Sequence, residues 1–403
     1  MLDSGPASAM RPLAILYVGT LPPHPGGSAT LAAYVLAGLH ARGHTVRALA
    51  PMAASDPGAP DAFALRNRGL AVGRYPVPWF SADRTRASQD AEYRRAEVEG
   101  IASRLPRLLS AARPDVIVLG RESVAQDFPE AGRAANIPMV ALVHGGTTLA
   151  GMLGALDGPA ARALLERFRA ADLVVTVAQH LTDSLRLCGL GRVVTIPNPV
   201  DLDLFAPGPK DTRALAALDI PPDAVVVLHA SNLKPLKRPL DLVDSARAAV
   251  PRCPRLVYLI VGDGPCRPEM ERACRRDGLA GRFRFTGWVE HDRIPPLMRL
   301  ADLVAMPSES EGQAHVYLET QACGRVLIAS DIPASREVAV HDETGLLFPA
   351  GDVPALTETT LRAARDPALR ARIGRQARER VRAHALSDIV AAYERALTGV
   401  VAH

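Results

Sequence analysis

Short apolar runs rich in β-branched residues recur along the chain, and each is followed by a stretch that mixes polar and apolar positions at helical spacing. In the first half these runs are Leu13–Val18, Thr45–Ala50, Val116–Leu119, Met139–Val143, Leu173–Val177 and Val193–Ile196. In the second half they are Val225–Leu228, Leu256–Val261, Phe283–Phe285, Leu303–Met306, Val326–Ala329 and Leu346–Phe348. Strands that read as unbroken apolar runs are covered on both faces, and their alternation with helices predicts an α/β protein with parallel sheets. These strands are too many for one comfortable sheet. Pro197, Pro199, Pro207, Pro209, Pro221 and Pro222 crowd the middle of the chain and interrupt regular structure there. The pattern predicts two doubly wound, Rossmann-like domains, residues 1–205 and 206–384, facing across a cleft. By pattern alone the last helical stretch, Ser387 to Leu397, could pack anywhere; the segment 385–403 is expected to return to the first domain. Ligands in such sheets sit beyond the carboxyl ends of the strands.

Composition narrows the class without naming a function. The 403 residues suffice for two domains at roughly 150 residues each. No apolar run is long enough to span a bilayer. A net charge of +4 is too mild to nominate nucleic acid as a partner, and it tolerates an anionic substrate or peripheral contact with a membrane surface. Only Lys210, Lys234 and Lys237 among the 47 basic residues are lysine, so each invites a question. The five cysteines are odd in number and form no CxxC, which fits a reducing cytoplasm and neither a disulfide framework nor a metal site. Met1–Met10 lack a basic stretch followed by an apolar one, so no secretory leader is expected, and Met10 is an alternative start.

Three segments carry candidate chemistry. Tyr17-Val18-Gly19 leads through Pro25-Gly26-Gly27-Ser28 into a helical run from Ala29 to Arg42. A strand, a glycine-rich loop and a helix start can hold an anion on backbone N–H groups. The same glycines would serve a tight turn, and the prolines between them depart from the dinucleotide fingerprint GxGxxG. Ser231-Asn232-Leu233-Lys234-Pro235-Leu236-Lys237-Arg238-Pro239 sets three cations at the carboxyl end of a strand. That arrangement suits a diphosphate, against the plainer reading of a solvated basic turn. The third segment runs from Pro307-Ser308 through Glu311-Gly312-Gln313-Ala314-His315 to Glu319 and Ala322-Cys323-Gly324. If wholly helical, the interval between the two glutamates would span about 12 Å. That is too far to share a proton or a metal, and suits two grips on one extended ligand. Asp201-Leu202-Asp203 imitates a metal-binding D-x-D, but its place in the linker makes a turn the better reading.

These residues together resemble the family 4 glycosyltransferases, which have the two-domain GT-B fold. Glu311 and Glu319 match the family's E-x7-E motif. Val261-Gly262-Asp263-Gly264-Pro265 matches VGxGP. Pro197-Asn198-Pro199-Val200-Asp201 with Phe205 matches NGVDxxxF, and Thr344-Gly345-Leu346-Leu347-Phe348 matches TGLLF. The resemblance implies a metal-independent, retaining hexosyltransferase that uses a nucleotide sugar as co-substrate and needs no cofactor. A UDP-linked hexose or N-acetylhexosamine is favoured over GDP-mannose. By position, Glu319 would bind the ribose and Glu311 the donor sugar. Backbone N–H groups of Gln313 and Ala314 would contact the sugar or distal phosphate. Lys237 would hold the pyrophosphate, with Gly26 and Gly27 approaching from the other domain. His144 would lie beside the sugar, and Gly287-Trp288-Val289 by the base. The candidate catalytic set is therefore His144, Lys237 and Glu311. The candidate donor contacts add Gly26, Gly27, Asn232, Lys234, Arg238, Gly262, Trp288, Val289, Gly312, Gln313, Ala314, His315 and Glu319.

Departures from the family pattern fall in the same loops. Ser231-Asn232-Leu233 replaces GRL, removing a phosphate-binding arginine for which Lys234 or Arg238 could substitute. This local variant resembles the bacillithiol-pathway branch that glycosylates malate. Gln313, Ala314 and His315 replace the usual FG and aliphatic residue, which puts sugar preference in question. The acceptor is unidentified. Tyr75-Pro76-Val77-Pro78-Trp79-Phe80 with Arg84, Arg86, Arg94 and Arg95, and His144-Gly145-Gly146-Thr147-Thr148, are candidate acceptor or membrane-facing regions, a loop leading into a solvated helix being the plainer reading of the first. Rival readings are a GDP-mannose-dependent transferase acting on a lipid or glycan acceptor, a non-catalytic sugar-nucleotide-binding relative, and a nicotinamide-dependent oxidoreductase, the last disfavoured by the missing GxGxxG.

Overall fold

The computed structural model describes residues 11–24, 26–53, 69–78, 91–122, 124, 135–145 and 165–402. The first half builds a seven-stranded sheet from β1 (Ala14–Val18), β2 (Thr45–Ala53), β3 (Ala71–Val77), β4 (Val116–Leu119), β5 (Met139–Val143), β6 (Leu173–Thr176) and β7 (Val193–Thr195), in the order β3-β2-β1-β4-β5-β6-β7. The second half builds a six-stranded sheet from β8 (Val225–Ala230), β9 (Leu256–Val261), β10 (Phe283–Gly287), β11 (Leu303–Met306), β12 (Val326–Ser330) and β13 (Leu346–Phe348), in the order β10-β9-β8-β11-β12-β13. Neighbours pair in parallel in both sheets. Every residue of β4, β5, β9 and β11 is buried, as strands sandwiched between helices must be. One apolar cluster fills the first half, and two fill the faces of the second sheet.

Strand order reverses between β1 and β4 in one half and between β8 and β11 in the other. At such a point the connecting loops diverge to opposite faces and leave a crevice at the strand ends. Helix α1 (Gly27–Ala41) starts beside the first crevice. The second crevice lies between the loop after β8 and the loop after β11, and is bridged by Glu309 N–H donating to the Leu236 carbonyl at 2.9 Å.

The sequence pattern misses β3. Gly73, Arg74 and Pro76 break its alternation, and proline is tolerated there because the strand lies at the sheet edge. The candidate acceptor or membrane-facing segment Tyr75–Phe80 therefore begins as strand where a loop is the plainer reading of the sequence, and its Tyr75 and Val77 are buried in the first core. Arg94 reaches Glu97 and Arg95 is exposed, both on α2 (Ala91–Ala111). Trp79, Phe80, Arg84, Arg86 and Gly146-Thr147-Thr148 lie outside the described residues.

The chain passes between the halves twice at one place. After β7 it runs out through Asn198 and Val200, and it returns after residue 380, where Val200 N–H donates to the His384 carbonyl at 2.9 Å. Asp201 accepts from the N–H groups of Asp203 and Leu204 at 3.0 Å each, so its carboxylate is spent on a turn. The last helix, Leu386–Val401, lies along α1. Its Glu394 takes bonds from Arg42 at 2.7 Å and His44 at 2.9 Å, and its Val390 packs on Gly38.

A Cβ at Gly38 would sit 2.5 Å from a Val390 methyl. Gly38→Leu is expected to destabilise the chain by about 1–3 kcal/mol through overpacking, read as a lower urea midpoint.

Candidate functional site

The site begins with a network that shapes the loop after β8. His229 ends that strand fully buried, with Nδ1 2.8 Å from the Ala305 carbonyl of β11. A carbonyl only accepts, so Nδ1 carries the proton and Nε2 is the bare nitrogen. Nε2 lies 2.8 Å from Ser231 Oγ, which therefore donates to it and accepts in turn from Leu233 N–H at 3.1 Å. Burial holds the imidazole neutral by pulling its pKa down to about 4. Leu233 takes a left-handed backbone with φ 39° and buries its side chain, turning the chain toward Lys234. The carbonyls of Ser231 and Asn232 press on Gly262 and Gly264, where any Cβ would collide with them. Asn232 Oδ1 is buried without a hydrogen-bond partner among the described residues.

Lys237 leaves this loop and meets Glu311 from the loop after β11. Its Nζ lies 2.5 and 2.6 Å from the two carboxylate oxygens, and the Glu311 side chain is 8% exposed. Lys234 is half-buried and has no ion-pair partner among the described residues. Burial first, and the Lys237 charge second, lower its pKa. Arg238 turns away at φ 47° and pairs with Asp241 at 2.8 and 3.2 Å. Of the two cations that could stand in for the family's missing arginine, Lys234 is thus the uncommitted one.

The segment that follows Glu311 is loop before it is helix. Helix α3 spans His315–Ala322, so only its first turn separates His315 from Glu319. Ala314 has φ −75° and needs no glycine. The Gln313 side chain is bonded within the protein: its Oε1 accepts from Asn198 N–H at 2.6 Å, and its carbonyl accepts from Asn198 Nδ2 at 2.7 Å, while its backbone N–H, the group expected to meet the ligand, takes no part in these bonds. Its side chain anchors the crossover between the halves.

The first half closes over these loops. Gly312 touches the His144 carbonyl so closely that a Cβ there could not fit. A Cβ at Gly27 would lie 3.3 Å from the His315 ring. The starts of α1 and α3 therefore converge from opposite halves at the end of the loop that carries Glu311. Gly26 precedes α1 at φ 114°, with no side chain capping the helix and no acidic residue in its first turn. Uncapped N–H groups and the helix dipole together favour an anion there. Burial lowers the His315 pKa to about 4, against the opposing pull of Glu319 and of the Gly27 backbone.

His144 follows β5 and is oriented by a residue that sequence reasoning passed over. One oxygen of Glu122 accepts from the N–H groups of His144 and Gly145 at 2.7 and 2.6 Å. His144 Nε2 donates to the Gly120 carbonyl at 2.9 Å, which leaves Nδ1 as the accepting nitrogen. Burial lowers its pKa, partly offset by Glu122. Glu122 has no motif to betray it, because its bonds form only after β4 and β5 pair.

Glu319 is 5% exposed and is met by His291, whose Nε2 lies 2.7 Å from Oε1. Burial pulls the His291 pKa down, but Glu319, with Asp292 and Asp201 behind it, raises it overall. Trp288 and Val289 are half-buried in the same loop, and Trp288 Nε1 donates to Glu290 at 3.2 Å. This loop is tied to the glycine loop by Gly262 N–H donating to the Gly287 carbonyl at 2.8 Å.

Two facing parallel sheets with a paired lysine and glutamate at one switch point and a glycine-rich helix start at the other define the GT-B class. The comparisons agree. Residues 25–204 match the model described as Glycosyltransferase Family 4, and residues 211–380 match Glycosyl transferases group 1. The two matches together span most of the chain, which belongs to the family 4 glycosyltransferases. It is 31% identical over 289 residues to the D-inositol 3-phosphate glycosyltransferase of Jonesia denitrificans, covering 64% of this chain and 66% of that one. It is 32% identical over 202 residues to the 2-deoxystreptamine N-acetyl-D-glucosaminyltransferase of Streptomyces fradiae, covering 48% of each. The matches span about half to two-thirds of the length of these curated relatives. Among solved structures, Anabaena HepE in complex with UDP-glucose has a TM-score of 0.75 at 21% identity, covering 96% of this chain and all of that one. Sucrose-phosphate synthase from Thermosynechococcus elongatus has a TM-score of 0.76 at 21% identity, covering 96% of this chain and 99% of that one. Among the described residues, no helix is long and apolar enough to cross a membrane.

The neutral, buried His229 gives a pH signature. Its folded pKa of about 4 lies below the ordinary 6.5, so the unfolded chain binds the extra proton between those values. Stability is therefore expected to fall as pH drops from 6.5 toward 4, by up to about 1.4 kcal/mol per pH unit from this group, and to level off below. Denaturant unfolding across this window should be flatter for His229→Gln than for the wild type.

Proposed function

We propose that this chain is a retaining, metal-independent hexosyltransferase that moves a hexose or N-acetylhexosamine from a UDP-sugar to a polyhydroxylated cyclitol. The observation that carries the donor half is the Lys237–Glu311 pair, set between β8 and β11, with Glu311 in a loop whose far end, at His315, meets the uncapped start of α1. Lys237, the unpaired Lys234 and the two converging helix starts supply positive potential where a diphosphate would lie. Glu311 supplies an acceptor for a sugar hydroxyl, and Glu319 one for the ribose diol. The relatives supply the acceptor class, since the names of both refer to cyclitol acceptors, one phosphorylated and one aminated. GDP-mannose is the second donor to try.

In a retaining transfer the acceptor oxygen attacks the anomeric carbon on the face from which the diphosphate departs. The C1–oxygen bond to phosphate breaks, the new glycosidic bond forms, and the acceptor's proton passes to the departing phosphate oxygen. The protein's part is to hold both partners and to stabilise the charge growing on the diphosphate. Lys237 would do so directly once the phosphate replaces one of its bonds to Glu311. Neutral His144, accepting through Nδ1, would orient a donor-sugar hydroxyl. Gly26 and Gly27 would bring backbone N–H groups against the phosphates. Donor binding and transfer in the presence of EDTA would support metal independence.

Thermal shift against UDP, GDP, ADP, NAD and their sugar conjugates tests the donor class. A ligand at about 100 times its dissociation constant should add roughly 2.7 kcal/mol. A shift with NAD alone would sink the reading in favour of an oxidoreductase. Lys237→Ala is expected to lower kcat by about 10²–10³ with a saturating cyclitol acceptor, since it removes charge stabilisation in the transition state. Turnover near that of the wild type would remove Lys237 from the mechanism.

A further inference from the structure

His291 stands where neither the sequence motifs nor the proposed chemistry assigns a residue. It belongs to the loop after β10, yet its ring is held from three sides. Nε2 bonds Glu319 Oε1 at 2.7 Å. The Phe205 ring of the crossover packs on it at 5.4 Å, tilted by 47°. The Tyr34 ring of α1, from the other half, meets it nearly edge-on at 5.8 Å and 77°. Glu319 Oε2 has no partner among the described residues, although its side chain is 7% exposed. A buried carboxylate fixed by one oxygen and open at the other is a preorganised acceptor. Two aromatic walls leave the imidazole little rotational freedom, so the fixing is rigid.

We propose that His291 is a positioning residue for the donor nucleotide: it holds Glu319 by Oε1 so that Oε2 meets the ribose diol, and Tyr34 locks it in place when the halves close. The inference rests on the donor reading given above, in which Glu319 grips the ribose. It adds that a residue of the acceptor half bears on ribose recognition in the other half. Binding of the nucleotide would thus depend on the relative placement of the two halves through a single ring contact.

Calorimetric titration of the full chain with UDP and with 2′,3′-dideoxy-UDP tests this. The wild type should prefer UDP. His291→Leu should weaken UDP binding about tenfold, the scale of one hydrogen bond to a charged group, while leaving the dideoxy ligand unchanged. His291→Gln sets an amide N–H near the position of Nε2 and should restore most of the preference. Tyr34→Leu, which leaves the nucleotide half untouched, should show the same selective loss to a smaller degree. Unchanged UDP affinity in His291→Leu would overturn the proposal. So would tighter binding, which would make the imidazole a competitor for Glu319, or equal weakening of both ligands, which would make its role structural. A wild type that binds neither ligand would overturn the donor reading itself, and this inference with it.

Discussion

An ammonium and a carboxylate held out of water between two parallel strands set the terms for the rest of this structure. Withdrawing Lys237 and Glu311 from solvent is costly, and such a pair is weak evidence for stability. Its arrangement makes sense as a site kept ready for exchange, in which each charge can be handed to a ligand group of the right sign. That requires fixed loops. The His229–Ser231–Leu233 network fixes one, and the Gln313–Asn198 bonds fix the other. Neither network touches the pair, yet both determine where it lies.

The two halves contribute unlike things. The second brings the charges. The first brings the neutral rings of His144 and Tyr34 and, above all, backbone: the uncapped start of α1 and the His144 carbonyl against Gly312. Close approach of main chain to main chain is possible only where side chains are missing, so glycine marks the seam between the halves. Glu337 strengthens that seam away from the site, accepting from the N–H groups of Gln179 and His180 at 2.8 Å each and from His180 Nδ1 at 2.6 Å.

Much of the architecture was legible because parallel strands buried on both faces leave unbroken apolar runs. β3 escaped, since an edge strand can carry Gly73, Arg74 and Pro76 without losing its pairing. The carboxylates and lysines of the site were legible from local spacing. What spacing could not reveal was how each is held. Glu122 and His291 act across strands that pair only in the folded chain, and nothing near them in sequence announces it. Arg238 looked equivalent to Lys234, yet a left-handed backbone turned it to Asp241. Gln313 was expected to meet the ligand through its backbone N–H, and nothing in its spacing announced that its side chain and carbonyl are bonded to Asn198.

That last bond bears on how such an enzyme could be rebuilt. The crossover asparagine precedes most of the linker, yet it is fastened to the loop after β11 in the other half. A chimera that joined a foreign first half at residue 205 would replace Asn198 and leave Gln313 with a buried, unmatched amide. Grafting ahead of Pro197 would carry the fastening with the half that uses it.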